Sequence, residues 1–193
     1  MTMNLPNKLT IMRIIMVPFF ILFMFLPFYE VNTARIIGCA IFVIASLTDM
    51  LDGKIARKYN LITDFGKFLD PLADKILVIT AFICAGAIDT EHPWMQKAIA
   101  VTAAVIVFRE LAVSGLRLVV ASSPDAKVVA AAWLGKVKTV TQMVTVVVML
   151  LEPVIFGGNY YATPVLLAAT AVMTLWSGAD YFRVYWGYID PNK

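Results

Sequence analysis

Four aspartates lie close together between residues 49 and 74 of a chain that is 61% hydrophobic. Asp49 and Asp52 are three residues apart, and Asp70 and Asp74 are four apart, so each pair shares one helix face if both stretches are helical. Clustered carboxylates repel each other unless cations neutralise them. A site of oxygen ligands, without histidine or cysteine, favours Mg²⁺, Mn²⁺ or Ca²⁺ over Zn²⁺. We expect the four aspartates to hold two ions of Mg²⁺ or Mn²⁺.

The residues around these aspartates predict a phosphate ligand. Two divalent cations held by carboxylates can grip a pyrophosphate, polarise its phosphorus and stabilise the departing phosphate oxygen. Gly53 and Gly66 permit the close approach of a ligand or a neighbouring helix, and Ala56 likewise leaves room. Arg57, one helical turn beyond Gly53, presents a planar fork of donors that matches phosphate oxygens.

The elements that position these residues are expected to be membrane helices. The apolar runs approach the roughly 20 residues that span a bilayer, and they predict one all-α polytopic domain over residues 1–193. The first run follows two basic residues as in a signal peptide, but no small-residue cleavage site follows it, so it is expected to be a retained helix. The six predicted spans cover residues 10–28, 33–55, 69–88, 94–120, 133–153 and 162–184.

The distribution of basic residues predicts the orientation of the spans. Arg35 and Lys97 are the clear exceptions to a one-sided arrangement, although the net charge is only +3. By the positive-inside rule, both termini face the cytoplasm, and so do the aspartates, which lie at the ends of the spans. Asp64 and Lys58 are expected in a solvated connector. The basic residues on the predicted cytoplasmic side are Lys8, Arg13, Lys54, Arg57, Lys58, Lys67, Lys75, Lys127, Lys136, Lys138, Arg183 and Lys193.

The spacing of the signature residues resembles that of the CDP-alcohol phosphotransferase family. All eight specified positions match in the pattern Asp49-x-x-Asp52-Gly53-x-x-Ala56-Arg57, eight residues, Gly66-x-x-x-Asp70-x-x-x-Asp74. The resemblance implies a six-helix membrane enzyme, usually a homodimer, in which an acceptor hydroxyl displaces CMP from a CDP-linked lipid or alcohol. It implies no nucleic-acid partner.

The resemblance also implies roles for individual residues. Asp49, Asp52 and Asp70 would be metal ligands, and Asp74 would be the general base and a further metal contact. The nucleotide and pyrophosphate pocket would be formed by Gly53, Ala56, Arg57 and Gly66.

The acceptor must be inferred from other polar residues, because the signature does not choose it. An arginine within a membrane span is expected to point into the bundle or a wet cavity, and a basic cluster near the aspartates fits an acceptor that is itself a phosphate ester. For the two lysines, simple anchoring at the membrane surface stays an alternative. The candidates for this subsite are Arg109, Arg117, Lys136 and Lys138, with Asn7, Thr10 and Arg13 as further pocket residues.

The segments that contain these residues are similar to the corresponding segments of family members that act on CDP-diacylglycerol and sn-glycerol 3-phosphate. This similarity implies phosphatidylglycerol phosphate and CMP as products. Family members that use inositol phosphate, serine or phosphatidylglycerol are the nearest alternatives. A cation transporter or channel would also place carboxylates beside a membrane pathway. It would not require the spacing of Gly53, Arg57 and Gly66, and it predicts acidic groups nearer the middle of the bilayer.

Overall fold

A computed structural model describes residues 4–28, 30–59, 63–89, 91–121 and 133–189, and within these ranges every regular element is an α-helix. Each of the six helices has the length and the apolar composition needed to cross a membrane, which confirms the all-α, six-span prediction. The helices are α1 (Leu5–Phe25), α2 (Val31–Lys58), α3 (Asp64–Ile88), α4 (Pro93–Ala121), α5 (Trp133–Ile155) and α6 (Thr163–Ile189).

The first helix begins and ends earlier than the predicted span 10–28. Asn4 caps it by accepting a hydrogen bond from the Asn7 backbone N–H at 3.1 Å, and Pro6 lies in the first turn, where its missing N–H costs nothing. The helix ends at Phe25, two residues before Pro27. Hydropathy alone could not show this shift, because the first turn of α1 is polar.

Helices α2 and α3 extend beyond the apolar parts of their sequences. Lys58 is the last residue of α2 and Asp64 is the first of α3, so the expectation that both lie in a connector is wrong. Thr63 supplies the reason at α3, since its Oγ1 accepts the Gly66 N–H at 3.0 Å and caps the helix. Asp49, Asp70 and Asp74 lie within the apolar spans. The rest of the signature lies on the helical extensions: Asp52, Gly53, Ala56, Arg57 and Gly66.

The helices pack around an apolar core. Helix α1 contacts α2 and α3, α4 contacts α3 and α6, and α5 contacts α2, α3 and α6. The core contains side chains with at most 1% exposure, whereas Phe108, Leu118 and Val165 are about two-thirds exposed or more. Apolar side chains on the outer surface are expected where lipid, and not water, surrounds the bundle. The largest core side chains are Phe20, Phe42, Phe82, Ile99 and Met149.

Buried hydroxyl and amide groups join α5 to α6. Thr145 and Thr170 hydrogen bond through their hydroxyls at 2.7 Å, and the Gln142 side-chain amide donates to the Thr174 hydroxyl at 3.2 Å. Such bonds between helices supply association energy that apolar packing alone does not provide in lipid. They hold α5 beside α6 over the two helical turns of α5 that follow Lys138.

The end of the bundle away from the aspartates contains Arg35, an exception to the one-sided charge pattern. Arg35 is 5% exposed and donates to the Tyr160 hydroxyl at 2.9 Å, with Asp89 at 3.9 Å. Burial raises the pKa of Tyr160 to about 12, so its hydroxyl stays protonated at neutral pH. Arg35 is thus a buried structural group and not a surface anchor.

Candidate active site

The site is built where the start of α1 meets the start of α3. Besides capping α3, Thr63 donates its hydroxyl hydrogen to Asn7 Oδ1 at 2.9 Å. A Cβ atom added at Gly66 would lie 3.1 Å from Asn7 Oδ1 and 3.3 Å from Thr63 Oγ1. Gly66 therefore permits the close approach of α1 to α3, which is one of the two uses expected of it.

The polar face of α1 binds the aspartates directly. The Thr10 hydroxyl donates to Asp70 Oδ1 at 2.6 Å. Arg13 Nη1 lies 2.9 Å from Asp49 Oδ1 and 2.9 Å from Asp74 Oδ1. The Arg13 side chain is fully buried, while Asp49 and Asp74 are 27% and 35% exposed. The guanidinium thus lies behind the carboxylates and orients them towards the accessible side.

Four signature residues lie near the C-terminal end of α2, but their side chains fall outside what the structure describes. Asp52 follows Asp49 by three helical residues, which places the two on neighbouring positions of one helix face. The pocket predicted for the nucleotide and pyrophosphate is therefore located by its backbone alone. The other three residues are Gly53, Ala56 and Arg57.

The carboxylates fit a divalent metal ion in their chemistry. Asp49 and Asp74 contact one nitrogen of Arg13 through their Oδ1 atoms, so the two carboxylates lie beside each other. Among the described side chains, no three acidic, histidine or cysteine groups are close enough to hold an ion unaided. Mg²⁺ commonly takes one or two carboxylates and completes its shell with water and substrate phosphates, and Asp52 is a further carboxylate on the same helix as Asp49.

A cavity of about 540 Å³ opens beside the aspartates, and its lining includes all four residues that were predicted to hold an acceptor phosphate. Asp70 and Asp74 lie on its wall, so the acidic and basic groups face one space. The basic groups come from three helices: Lys75 from α3, Arg109 and Arg117 from α4, and Lys136 and Lys138 from α5.

The basic residues of this cavity divide into two environments. Arg109 and Lys138 are 8% and 6% exposed, and both contact the Glu110 carboxylate. Arg117 and Lys136 are exposed. Arg117 Nη2 donates to the Tyr181 hydroxyl, and its Cζ lies 5.1 Å from the centre of the same ring, which fixes the guanidinium against an aromatic face.

Sequence reasoning assigned no role at the site to two residues of this cavity. Lys75 Nζ donates to Ser114 Oγ at 2.7 Å and lies 3.3 Å from Glu110 Oε2. A lysine directly after Asp74 looks like one more basic residue on the cytoplasmic side. Glu110 looks like a simple partner for Arg109. Only the packing of α3, α4 and α5 shows that both side chains face the cavity.

Comparison with known proteins gives matches over almost the whole chain. Residues 3–176 match the family described as CDP-alcohol phosphatidyltransferase. A Bacillus subtilis (strain 168) protein named CDP-diacylglycerol–glycerol-3-phosphate 3-phosphatidyltransferase is 42% identical over 193 residues, which covers 95% of each chain. Proteins of the same name from Salmonella typhimurium and Escherichia coli K12 are 40% and 39% identical over 181 residues, covering 94% of each chain.

Proposed function

Since the chain belongs to the CDP-alcohol phosphatidyltransferase family, we propose that it transfers the phosphatidyl group of CDP-diacylglycerol to sn-glycerol 3-phosphate. The products are phosphatidylglycerol phosphate and CMP. Enzymes of this family use divalent metal ions. Membership of the family also removes the transporter or channel alternative, because it accounts for the aspartates by phosphatidyl transfer.

One observation carries the choice of a phosphate ester as the acceptor: Asp74 lines the same cavity as five basic side chains from three helices. A phosphate ester needs several donors and positive charge. Serine carries no phosphate for these groups to bind. In glycerol 3-phosphate, three carbon atoms separate the primary hydroxyl that reacts from the oxygen of the phosphate ester. The cavity wall offers both parts of that arrangement, because the basic groups and Asp74 lie on it together.

The aspartates would hold the metal ions, for which we propose two ions of Mg²⁺ or Mn²⁺. The residues for this role are Asp49, Asp52, Asp70 and Asp74. When bound, such ions neutralise the pyrophosphate and polarise its phosphorus. Thr10 holds Asp70 in place, and Arg13 holds Asp49 and Asp74, so three of these carboxylates have fixed orientations before substrate binds.

In the proposed reaction, the primary hydroxyl of the acceptor attacks the phosphorus that carries diacylglycerol, and CMP leaves. Asp74 accepts the hydroxyl proton, which requires the hydroxyl to bind within hydrogen-bonding distance of its carboxylate. Arg117 and Lys136 bind the acceptor phosphate together with Lys75 and Lys138, and Arg109 extends the positive field. For the nucleotide, we propose that Gly53, Ala56 and Arg57 line the pocket, while Gly66 allows α3 to approach α1.

The reaction takes place at a lipid bilayer, because the chain has six helices that can cross one. We propose that the chain is one domain over residues 1–193, that both termini and the site face the cytoplasm, and that the protein is a homodimer. The orientation is supported by the positive-inside rule, since one of its two exceptions, Arg35, is a buried group. Labelling of a single cysteine at either terminus from outside intact cells would contradict the orientation.

The function can be tested with purified protein in detergent, CDP-diacylglycerol and a panel of acceptors, with CMP release as the measurement. We expect release with sn-glycerol 3-phosphate and none above background with inositol phosphate, serine or phosphatidylglycerol. Activity with one of those three acceptors alone would replace the proposed substrate. Absence of CMP release with every acceptor, under conditions in which the Bacillus subtilis relative is active, would contradict the reaction itself.

A further inference from the structure

Glu110 is a buried carboxylate that joins three helices at the basic cavity. It is 7% exposed and accepts a hydrogen bond from Lys138 Nζ of α5 at its Oε1 atom. Arg109 Nη1, from the neighbouring position on α4, lies 2.9 Å from the same oxygen. Lys75 Nζ, from α3, lies 3.3 Å from the other oxygen, Oε2. One carboxylate therefore binds three cations that the sequence separates widely.

We propose that Glu110 is a positioning residue for the acceptor: it holds Lys75 and Lys138 in the places from which they bind the acceptor phosphate. The proposal rests on the proposed function, since it takes this cavity as the acceptor site. It goes further because it assigns a role in acceptor binding to an acidic residue, in a subsite that must bind an anion.

The physical reason is that the basic groups repel each other. Lys75, Arg109 and Lys138 are close enough to contact one carboxylate, and without an anion between them their mutual repulsion would move the flexible lysines apart. A lysine has many rotamers, and restricting them is unfavourable unless a partner compensates. Glu110 provides this partner before the acceptor arrives.

The two lysines keep hydrogen-bond donors for a ligand. An ammonium group has three N–H donors. Lys138 directs one to Glu110, and Lys75 uses one for Ser114 and another towards Glu110. Both line the cavity. Arg109 differs from the lysines, because its Nη1 binds Glu110 and its Nη2 donates to Ser177 at 2.6 Å. Its main role is therefore to hold the Glu110 carboxylate in place.

The contact with Lys75 also connects the acceptor site to the aspartates. Lys75 follows Asp74 directly on α3, so a carboxylate on α4 that holds Lys75 also limits how this turn of α3 moves relative to α4. The same carboxylate fixes α5 through Lys138. Loss of Glu110 should therefore affect how the acceptor binds, while Asp49 and Asp74 keep their separate contact with Arg13.

The test is Glu110→Gln, which keeps the shape of the side chain and removes its charge. In purified protein we expect the KM for sn-glycerol 3-phosphate to rise at least tenfold, the KM for CDP-diacylglycerol to change less than twofold, and kcat to fall less than the acceptor KM rises. Glu110→Asp, which restores the charge on a shorter side chain, should recover part of the acceptor KM.

Glu152→Gln is the matched control. Glu152 is another buried carboxylate, 4% exposed, but it lies at the far end of α5 and accepts hydrogen bonds from the backbone N–H groups that begin α6. Its amide variant should lower the thermal stability and leave the ratio of the two KM values unchanged. Equal changes in both KM values for Glu110→Gln would show a merely structural role and would overturn the proposal.

A second variant keeps the test decisive if Glu110→Gln does not fold. Lys75 is partly exposed, so Lys75→Met removes one contact at lower risk, and it too should raise the acceptor KM selectively. An unchanged acceptor KM in this variant contradicts the proposal. The activity of the parent protein distinguishes failure of the proposed function from failure of the proposed role of Glu110. If the parent releases no CMP with sn-glycerol 3-phosphate, the proposed function is contradicted. If the parent is active and the variants are unaffected, only the role of Glu110 is contradicted.

Discussion

Arg13 and Asp74 are 61 positions apart in the chain, yet Arg13 Nη1 lies 2.9 Å from Asp74 Oδ1. The same nitrogen lies 2.9 Å from Asp49 Oδ1. A fully buried cation on α1 thus connects the aspartates of α2 and α3. Because these two helices present the signature, the distance between its two halves depends on a residue outside it.

We expect Arg13→Gln to abolish most of the activity and to destabilise the protein. Arg13 is buried but Asp49 and Asp74 are partly exposed, so the loss should cost less than the ~3 to 5 kcal/mol of breaking a fully buried ion pair. Both carboxylates would also lose their fixed orientation. CMP release should fall at least about 100-fold, equivalent to ~2.7 kcal/mol. The measurements are CMP release per folded protein and thermal unfolding in detergent.

Arg35→Gln serves as the control for this prediction. Arg35 is also a buried arginine, with Tyr160 and Asp89 as partners, but it lies at the opposite end of the bundle. The variant should lose stability and keep its activity per folded molecule. Equal loss of activity in both variants would mean that Arg13 acts only through folding.

The fold could be predicted largely from hydropathy, because apolar runs of bilayer length report the helices directly. The boundaries were less accessible, since α1 starts at Leu5 and α3 at Asp64 through caps at Asn4 and Thr63. A hydropathy window detects the apolar part of a helix and not its polar first turn. Gly66 of the signature lies in such a polar turn, at the start of α3.

The candidate site could be predicted in its residue types but not in its contacts. Thr10 and Arg13 are three apart and share a face of α1, but one sequence cannot show that this face meets Asp70 and Asp74. The spacing of Arg109 and Arg117, about two helical turns, likewise places them roughly on one face of α4. It could not show that Arg109 is buried against a carboxylate while Arg117 is exposed beside Tyr181.

Asp74→Asn should abolish CMP release without preventing membrane insertion. The amide keeps the size of the side chain but cannot accept the proton from the acceptor hydroxyl, and it weakens any contact with a metal ion. We expect a loss of at least about 1000-fold, which is ~4 kcal/mol in activation free energy. Glu91→Gln, at an exposed carboxylate of the opposite end, should be as active as the parent. Near-normal turnover by Asp74→Asn would exclude Asp74 as the base.

Arg117→Ala and Lys136→Ala should weaken the use of the acceptor more than the use of the lipid donor. Both side chains are exposed at the cavity and have positive charge to offer a phosphate. We expect each variant to raise the KM for sn-glycerol 3-phosphate about tenfold, equivalent to ~1.4 kcal/mol. Initial rates measured against each substrate in turn give the comparison. The control is Lys97→Ala, at an exposed lysine near the opposite end of the bundle, and it should change neither KM. If Arg117→Ala raised both KM values equally, the result would argue against phosphate binding by Arg117.

Removal of divalent ions should stop the reaction reversibly. The aspartates provide oxygen ligands of the kind that Mg²⁺ and Mn²⁺ prefer, so activity should disappear in EDTA and return when either ion is added in excess. Zn²⁺ is expected to restore less, because the described aspartate site contains no histidine or cysteine. Full activity after exhaustive chelation would contradict the proposed metal site.

Gly66→Ala tests whether α1 and α3 must approach each other closely for activity. The added Cβ would lie 3.1 Å from Asn7 Oδ1 and 3.3 Å from Thr63 Oγ1, so these two hydrogen-bonded groups would have to move away from it and loosen the contact between α1 and α3. We expect a stability loss of about 1 to 3 kcal/mol from overpacking and at least a tenfold loss of CMP release, because Thr10 and Arg13 on α1 would shift away from Asp70 and Asp74.

Gly115→Ala is the matched control for this substitution. A Cβ atom at Gly115, within α4, meets no other atom within 4 Å. Alanine is the better helix former by up to about 1 kcal/mol, so this variant should unfold at the same or a higher temperature and retain full activity. If Gly66→Ala also keeps its stability and full activity, then the contact between α1 and α3 tolerates a methyl group. In that case a side chain at residue 66 does not disturb the position of Arg13 against Asp74.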